Sequence, residues 1–202
     1  MKHIITVQHT QSVHHTNGMV GSWTDWELTA LGREQADRVG RKLKKELTGK
    51  DVVLYSSDLK RAAQTAEEIA KYLGVEPILR RELRERNLGR CCGKSVQWLR
   101  ENMEHPERTV DDRLFSDGES VRDAWNRLRP FYEELTESAD RTIIIVSHGD
   151  LLRIFFAMFL GRDVESLSKT EGGGAAGSVS HLTVCDDGTH RIDRIGDPSY
   201  IL

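Results

Sequence analysis

The chain has 202 residues, 38% of them hydrophobic and 30% charged, with a net charge of -3. This is enough apolar material for one compact core and excludes global disorder. The acidic balance excludes a broad basic surface for nucleic acid or anionic lipid, so an anionic ligand must be held by a local cluster. Three cysteines, two of them the adjacent Cys91 and Cys92, do not make a disulfide framework and point to a reducing compartment.

Ile4 to Val7 is short, apolar and β-branched, as in a buried strand rather than a secretory leader. Thr29 then precedes a helix with Leu31, Ala36, Val39, Leu43 and Leu47 at helical spacing, closed by Gly49. Val52 to Tyr55 predicts a second buried strand. Ser56-Ser57-Asp58 offers N-caps to the next helix, whose apolar face is Ala62, Ala63, Ala66, Ile69, Ala70 and Leu73 before Gly74. A short strand is expected at Glu76 to Leu79. From about 80 to 118 the pattern becomes a loop-rich excursion with one helix near Val96 to Met103.

Ser120 to Leu135 predicts an amphipathic helix, Thr142 to Ser147 the strongest strand, and Leu151 to Leu160 a core helix too short to span a membrane. Gly172-Gly173-Gly174 reads as a flexible break. Ser178 to Val184 and Arg191 to Ile195 predict a strand pair across the Asp187-Gly188 turn. No repeat, low-complexity tract or linker is visible, so residues 1–202 are expected to form one soluble, cytoplasmic domain carrying the excursion. Strands alternating with helices predict an α/β fold: three layers, a mostly parallel central sheet, and helices on both faces.

In such sheets ligands bind beyond the carboxyl ends of the strands. Gln8-His9-Thr10 follows the first strand. Ser56-Ser57-Asp58 follows the second, with Arg61 in the next helical turn. Ser147-His148-Gly149 follows the strongest strand. Two histidines, an arginine and two helix N-termini would then converge on one crevice, a combination suited to phosphate. A neutral imidazole can attack phosphorus, and a second can hold the oxygens on which charge spreads. On residue types alone, ordinary polar positions at strand ends remain the competing reading. His14 and His15 are adjacent and expected to point apart, and no H-x-x-x-H or C-x-x-C spacing exists, so no metal is expected. No thiol has an evident base beside it.

These residues resemble the histidine phosphatase superfamily, the phosphoglycerate mutase-like proteins, over nearly the whole chain. Trp23, Asp25, Leu28, Thr29, Gly32, Gln35 and Ala36 fall in the register of the family's first loop and helix. Ser57-Asp58-Leu59-Lys60-Arg61-Ala62-Ala63-Gln64-Thr65-Ala66 matches its second signature. Leu83 to Gly89, Gly118-Glu119-Ser120 and Ser147-His148-Gly149 follow in the family's order. The resemblance implies that His9 is the phosphorylated nucleophile, that Arg61 and His148 bind the transferred group, and that Glu85 is the general acid and then the base for water. It implies no cofactor. Glu119 and Ser120 would lie near the pocket or cap the following helix.

The chain departs from the family pattern at Gln8, where arginine is usual, at Thr10 for glycine, at His15 for asparagine, and at Ala176 for asparagine. Gln8 is expected to weaken phosphate binding, and the Thr10 hydroxyl to compensate by donating to phosphate. The family's mutases carry a longer insertion between the acid and the Gly-Glu-Ser motif, so the short interval from Glu85 to Glu119 favours hydrolysis of small phosphorylated metabolites. A mutase-like enzyme and a non-catalytic phospho-ligand binder are the alternatives. Trp23, Trp26 and Trp98 are expected to pack the loops down, with lining of a ring-accepting pocket as the other option.

Overall fold

The computed structural model describes residues 1–169 and 174–202, so Gly172 and Gly173 of the expected flexible break lie outside the described residues. Six strands form one sheet: β1 (Lys2–Gln8), β2 (Val53–Ser57), β3 (Ile78–Arg80), β4 (Thr142–Ser147), β5 (Val179–Val184) and β6 (His190–Asp197). Their spatial order is β3-β2-β4-β1-β5-β6. The first four run parallel, and β5 and β6 join antiparallel at one edge.

The helices are α1 (His14–Asn17), α2 (Ala30–Glu46), α3 (Lys60–Leu73), α4 (Val96–Asn102), α5 (Val121–Glu137) and α6 (Gly149–Phe159). Alternation along the strands divides the core. Ile5, Val7, Leu54, Ile144 and Val146 pack with Val39 and Leu43 of α2 and Ala66 and Ile69 of α3. Ile4, Ile143 and Ile145 face the other way, onto Leu128 and Phe131 of α5 and Ile154 and Phe155 of α6. A fully buried parallel strand must be apolar on both faces, which is why Thr142–Ser147 gave so strong a signal.

The excursion has a small core of its own. Cys91 and Phe115 pack with Val20, and Trp98 stacks on Phe115 at 5.7 Å between ring centres. A bridge between Met19 and Ser95 ties it to the loop after α1. No helix among the described residues is long and apolar enough to cross a membrane.

One short helix has no counterpart in the sequence pattern, and one local expectation changes. The helix at His14 to Asn17 lacks the apolar period that would announce it. The N-cap of α3 is Leu59, with no side-chain cap. Ser57 instead accepts the Leu59 N–H at 3.2 Å, and Asp58 forms a two-pronged ion pair with Arg84, both contacts at 2.7 Å.

Candidate active site

The ends of β1, β2 and β4 bring His9, Arg61 and His148 together, with the His9 and His148 ring centres 5.0 Å apart. His9 and Arg61 line a crevice of about 350 Å³ together with Gln8, His14, His15, Glu85, Arg86 and Asp150. The His9 ring is buried. Its Nδ1 meets the carbonyl of Thr10 at 2.8 Å, and Arg61 Nε donates to its Nε2 at 3.2 Å. A carbonyl only accepts, so Nδ1 carries the proton and Nε2 presents the lone pair. Burial, and secondly the Arg61 charge, hold the imidazole well below its ordinary pKa. His9 is therefore a neutral base with a fixed tautomer.

Arg61 is 1% exposed. Its two terminal nitrogens donate to the carbonyls of Ser22 and Thr24, each at 2.8 Å, which fixes the plane of the fork. Burial lowers its pKa to about 10, so it stays charged at neutral pH. Ser22 adopts a left-handed backbone (φ 48°), an unusual conformation for a residue with a side chain. Its hydroxyl donates to the Arg86 carbonyl and accepts from the Leu88 N–H, locking the Arg61 cradle to the excursion.

His148 is fully buried, and its Nε2 lies 2.8 Å from the Ser57 hydroxyl. That hydroxyl accepts from Leu59 and has no other acceptor for its own hydrogen among the described residues, so it donates to Nε2. The His148 proton then sits on Nδ1, which has no hydrogen-bond partner among the described residues. An orphaned buried donor is costly unless a ligand satisfies it. Burial, then Arg61 and His9, keep this imidazole neutral.

Glu85 reaches the same crevice from the excursion. Its carboxyl accepts N–H bonds from Arg86 at 2.9 Å, Leu151 at 3.1 Å and Asp150 at 3.3 Å. Those donors favour the ionised form. Burial first, and the Asp150 carboxylate second, outweigh them, and the Glu85 pKa is raised. The loop bearing it is clamped from three sides. Trp23 donates its indole N–H to the Glu85 carbonyl, and Arg127 donates to the carbonyls of Glu82, Arg84 and Glu85. The Ser147 hydroxyl holds the Leu83 carbonyl at 2.8 Å.

The profile of the Histidine phosphatase superfamily (branch 1) matches residues 4–198. The chain belongs to this superfamily. It is 30% identical to phosphoserine phosphatase 1 of Hydrogenobacter thermophilus over 189 residues, 90% of this chain and 87% of that one. It is 29% identical over 178 residues to a 2,3-bisphosphoglycerate-dependent phosphoglycerate mutase of Bartonella tribocorum, covering 83% of this chain and 86% of the other. A mycobacterial glucosyl-3-phosphoglycerate phosphatase, solved with VO3, superposes with a TM-score of 0.85 at 25% identity over 98% of this chain and all of its own. Phosphatases in both comparisons identify this histidine phosphatase superfamily member as a phosphoric monoester hydrolase.

Three expectations about this histidine phosphatase site are corrected. The Thr10 hydroxyl is not a phosphate donor: it donates to the Gly32 carbonyl at 2.8 Å, and the Thr10 N–H goes to Thr65. Gly32 must be glycine, because a Cβ there would lie 1.9 Å from the Gln11 carbonyl oxygen. Thr10 thus ties β1 to α2 and orients His9 through its carbonyl. Nor do the helix N-termini offer the expected open anion site. Asp150 and Leu151 of α6 give their N–H groups to Glu85, and Lys60 of α3 gives its N–H to Asp25. Finally, His14 and His15 do not point apart. The short helix turns both rings toward His9, with centres 5.8 and 5.4 Å away.

Gln8 lies between this crevice and a neighbouring apolar cavity of about 480 Å³, and its side-chain oxygen has no hydrogen-bond partner among the described residues. Ala176 lines neither space. Trp23 packs beneath the guanidinium groups of Arg81, Arg84 and Arg127, and Trp98 packs on Phe115, so both hold loops down. Glu119 receives two bonds from Arg127 and one from the Asn87 N–H, while Ser120 caps α5 in a reciprocal pair with Asp123. Arg127 and Arg86 escaped the sequence reading. Each is one arginine in a charged stretch, and only the fold shows Arg127 gripping the Glu85 loop and Arg86, on the crevice wall, paired with Glu107 outside it.

Proposed function

We propose that this enzyme hydrolyses small phosphate monoesters in two steps through a phosphohistidine at His9, without a metal or organic cofactor. The observation that carries this reading is the fixed His9 tautomer, with the Nε2 lone pair facing Arg61 in a buried crevice. In the first step Nε2 attacks phosphorus, the bond to the ester oxygen breaks, and Glu85 gives that oxygen its proton. In the second, the Glu85 carboxylate takes a proton from water, hydroxide oxygen attacks phosphorus, and phosphate leaves with Nε2 regenerated. Arg61 and the His148 Nδ1–H stabilise the equatorial oxygens, and Gln8 lies beside them as a weak neutral donor.

The opposed pKa shifts suit this scheme. Ordinary values would deprotonate a glutamic acid before freeing a histidine. Here the acid is raised and the nucleophile lowered, so the interval in which both are in the working form widens. The compact interval from Glu85 to Glu119 favours water over a second substrate hydroxyl as acceptor. Phosphorylated hydroxy or amino acids are the substrate class suggested by the relatives, with the buried Arg86 on the leaving-group side of the crevice. Unpaired Cys91, Cys92 and Cys185 fit a cytoplasmic setting, and neither nucleic acid nor membrane is a proposed partner.

Rapid quench with a labelled phosphomonoester is expected to trap an acid-labile, base-stable phosphoprotein that His9→Ala abolishes together with turnover. A fully active His9→Ala protein would refute the mechanism.

A further inference from the structure

The cluster of His9, His14 and His15 is not used in full by the phosphatase chemistry, which needs only His9. The His9 and His15 rings are nearly parallel, 6° apart, and the His14 and His15 ring centres are separated by 4.0 Å. One nitrogen from each of the three rings lies within 4.8 Å of the others. Neutral imidazole is the ligand form, and all three rings are held below their ordinary pKa by burial first, with His14 down at about 3. Outer partners of the kind that orient metal-binding imidazoles are in place. His9 Nδ1 is bonded to the Thr10 carbonyl, and His14 Nδ1 lies 2.7 Å from the Ser12 hydroxyl.

We propose that His9, His14 and His15 form a three-imidazole site for a borderline divalent cation of the Zn²⁺ class, which takes the lone pair of the nucleophile and reversibly blocks phosphoryl transfer. Three nitrogen donors with a fourth position open to the crevice suit Zn²⁺ and its near neighbours, and exclude Mg²⁺ and Ca²⁺, which need oxygen ligands. Tetrahedral ligands about 2.0–2.1 Å from Zn²⁺ lie roughly 3.4 Å from one another, so the rings must close inward. His15 is the exposed member and sits on a four-residue helix. It exchanges its 3.2 Å bond from the Ser12 N–H for the metal. Arg61 opposes a second cation, its Nε being 3.2 Å from His9 Nε2. Asp150 and Glu85 line the same crevice and offset that repulsion only in part. The result is a reversible inhibitory site rather than a structural one. The metal assignment stands on the three rings, whereas the inhibition rests on the phosphatase reading.

The test is a Co²⁺ titration of chelator-treated enzyme, followed by the visible absorption of four-coordinate Co²⁺. One equivalent is expected to bind, to be displaced by Zn²⁺ and to compete with vanadate. His14→Asn and His15→Asn are each expected to raise the Co²⁺ dissociation constant by at least about tenfold, since losing even an outer partner of a metal site costs roughly 10–100-fold. His105→Asn, on the exposed excursion, is expected to leave it unchanged. Zn²⁺ is expected to inhibit hydrolysis of an aryl phosphate competitively, with relief by EDTA and resistance in His15→Asn. The absence of four-coordinate absorption would overturn the site, as would dissociation constants within twofold of wild type in both variants or independent binding of Co²⁺ and vanadate. Activity lost on chelation and restored by Zn²⁺ would overturn the inhibitory role. Because the absorption does not depend on turnover, Co²⁺ binding by a protein that hydrolyses nothing would sink the phosphatase reading and leave the site standing.

Discussion

Replacing Glu85 by glutamine separates its two jobs. The carboxyl accepts three backbone N–H groups, from Arg86, Asp150 and Leu151, two of them at the start of α6. Glutamine keeps one acceptor oxygen and turns an NH2 group toward the remaining donors. That defect resembles loss of an N-cap, and the expected fall in stability is about 0.5–2 kcal/mol. This cost is the same for every substrate. Loss of the acid is not, because an alkyl leaving group needs a proton in the transition state and an activated aryl leaving group does not. General acid catalysis is typically worth about 10²–10⁴-fold, or roughly 2.7–5.4 kcal/mol at 1.36 kcal/mol per factor of ten. Glu85→Gln should therefore slow hydrolysis of an alkyl phosphate by about that factor, and p-nitrophenyl phosphate by far less. The wild-type rate on the alkyl ester should also fall as pH rises through the raised Glu85 pKa, a limb the variant should lack. Steady-state kcat/KM for both substrates across pH measures all of this. Equal losses on the two substrates, or an unchanged pH limb, would show that Glu85 only caps α6.

Gln8→Arg should raise catalytic efficiency by about tenfold to a hundredfold, the worth of a charge-assisted bond of roughly 1.5–3 kcal/mol, and tighten vanadate binding. No gain would mean that the crevice has adapted around the neutral amide. Urea melts should show stability falling below about pH 6.5, because His9 and His148 are held neutral in the folded state while their unfolded counterparts take up protons. Each contributes a slope of about 1.4 kcal/mol per pH unit that disappears only below its depressed folded value. Glu85, with a raised pKa, works in the opposite sense from about pH 4.5 upward and offsets one such group. His148→Asn should flatten the slope, and an unchanged slope would contradict the buried neutral state. Arg127→Met should lower kcat on alkyl phosphates by up to about a hundredfold through misplacement of Glu85, with little loss on aryl phosphates. Arg127→Lys should restore part of it, and a purely structural role would lower both substrates alike.

The layers and the strand ends are encoded locally in the chain. Buried parallel strands are apolar on both faces, and helices between them carry a 3.6-residue period, so Thr142–Ser147 and the faces of α2 and α3 are written in adjacent residues. Because ligands gather at the carboxyl ends of such strands, His9, Arg61 and His148 are legible as a group from the sequence. Glu85 was legible only through family resemblance, since a carboxylate in a charged loop carries no local signal. The destination of each hydrogen bond, by contrast, emerges only on folding. Thr10 had a plausible donor hydroxyl, but Gly32, 22 residues on, claims it. The α6 N-terminus had free N–H groups in the sequence, but Glu85, more than 60 residues earlier, fills them. Adjacency alone predicts that His14 and His15 diverge, and one short helical turn brings them together over His9. A residue type states what it can donate or accept. Which partner satisfies it is settled by contacts between segments far apart in the chain, and those form only when the sheet has assembled.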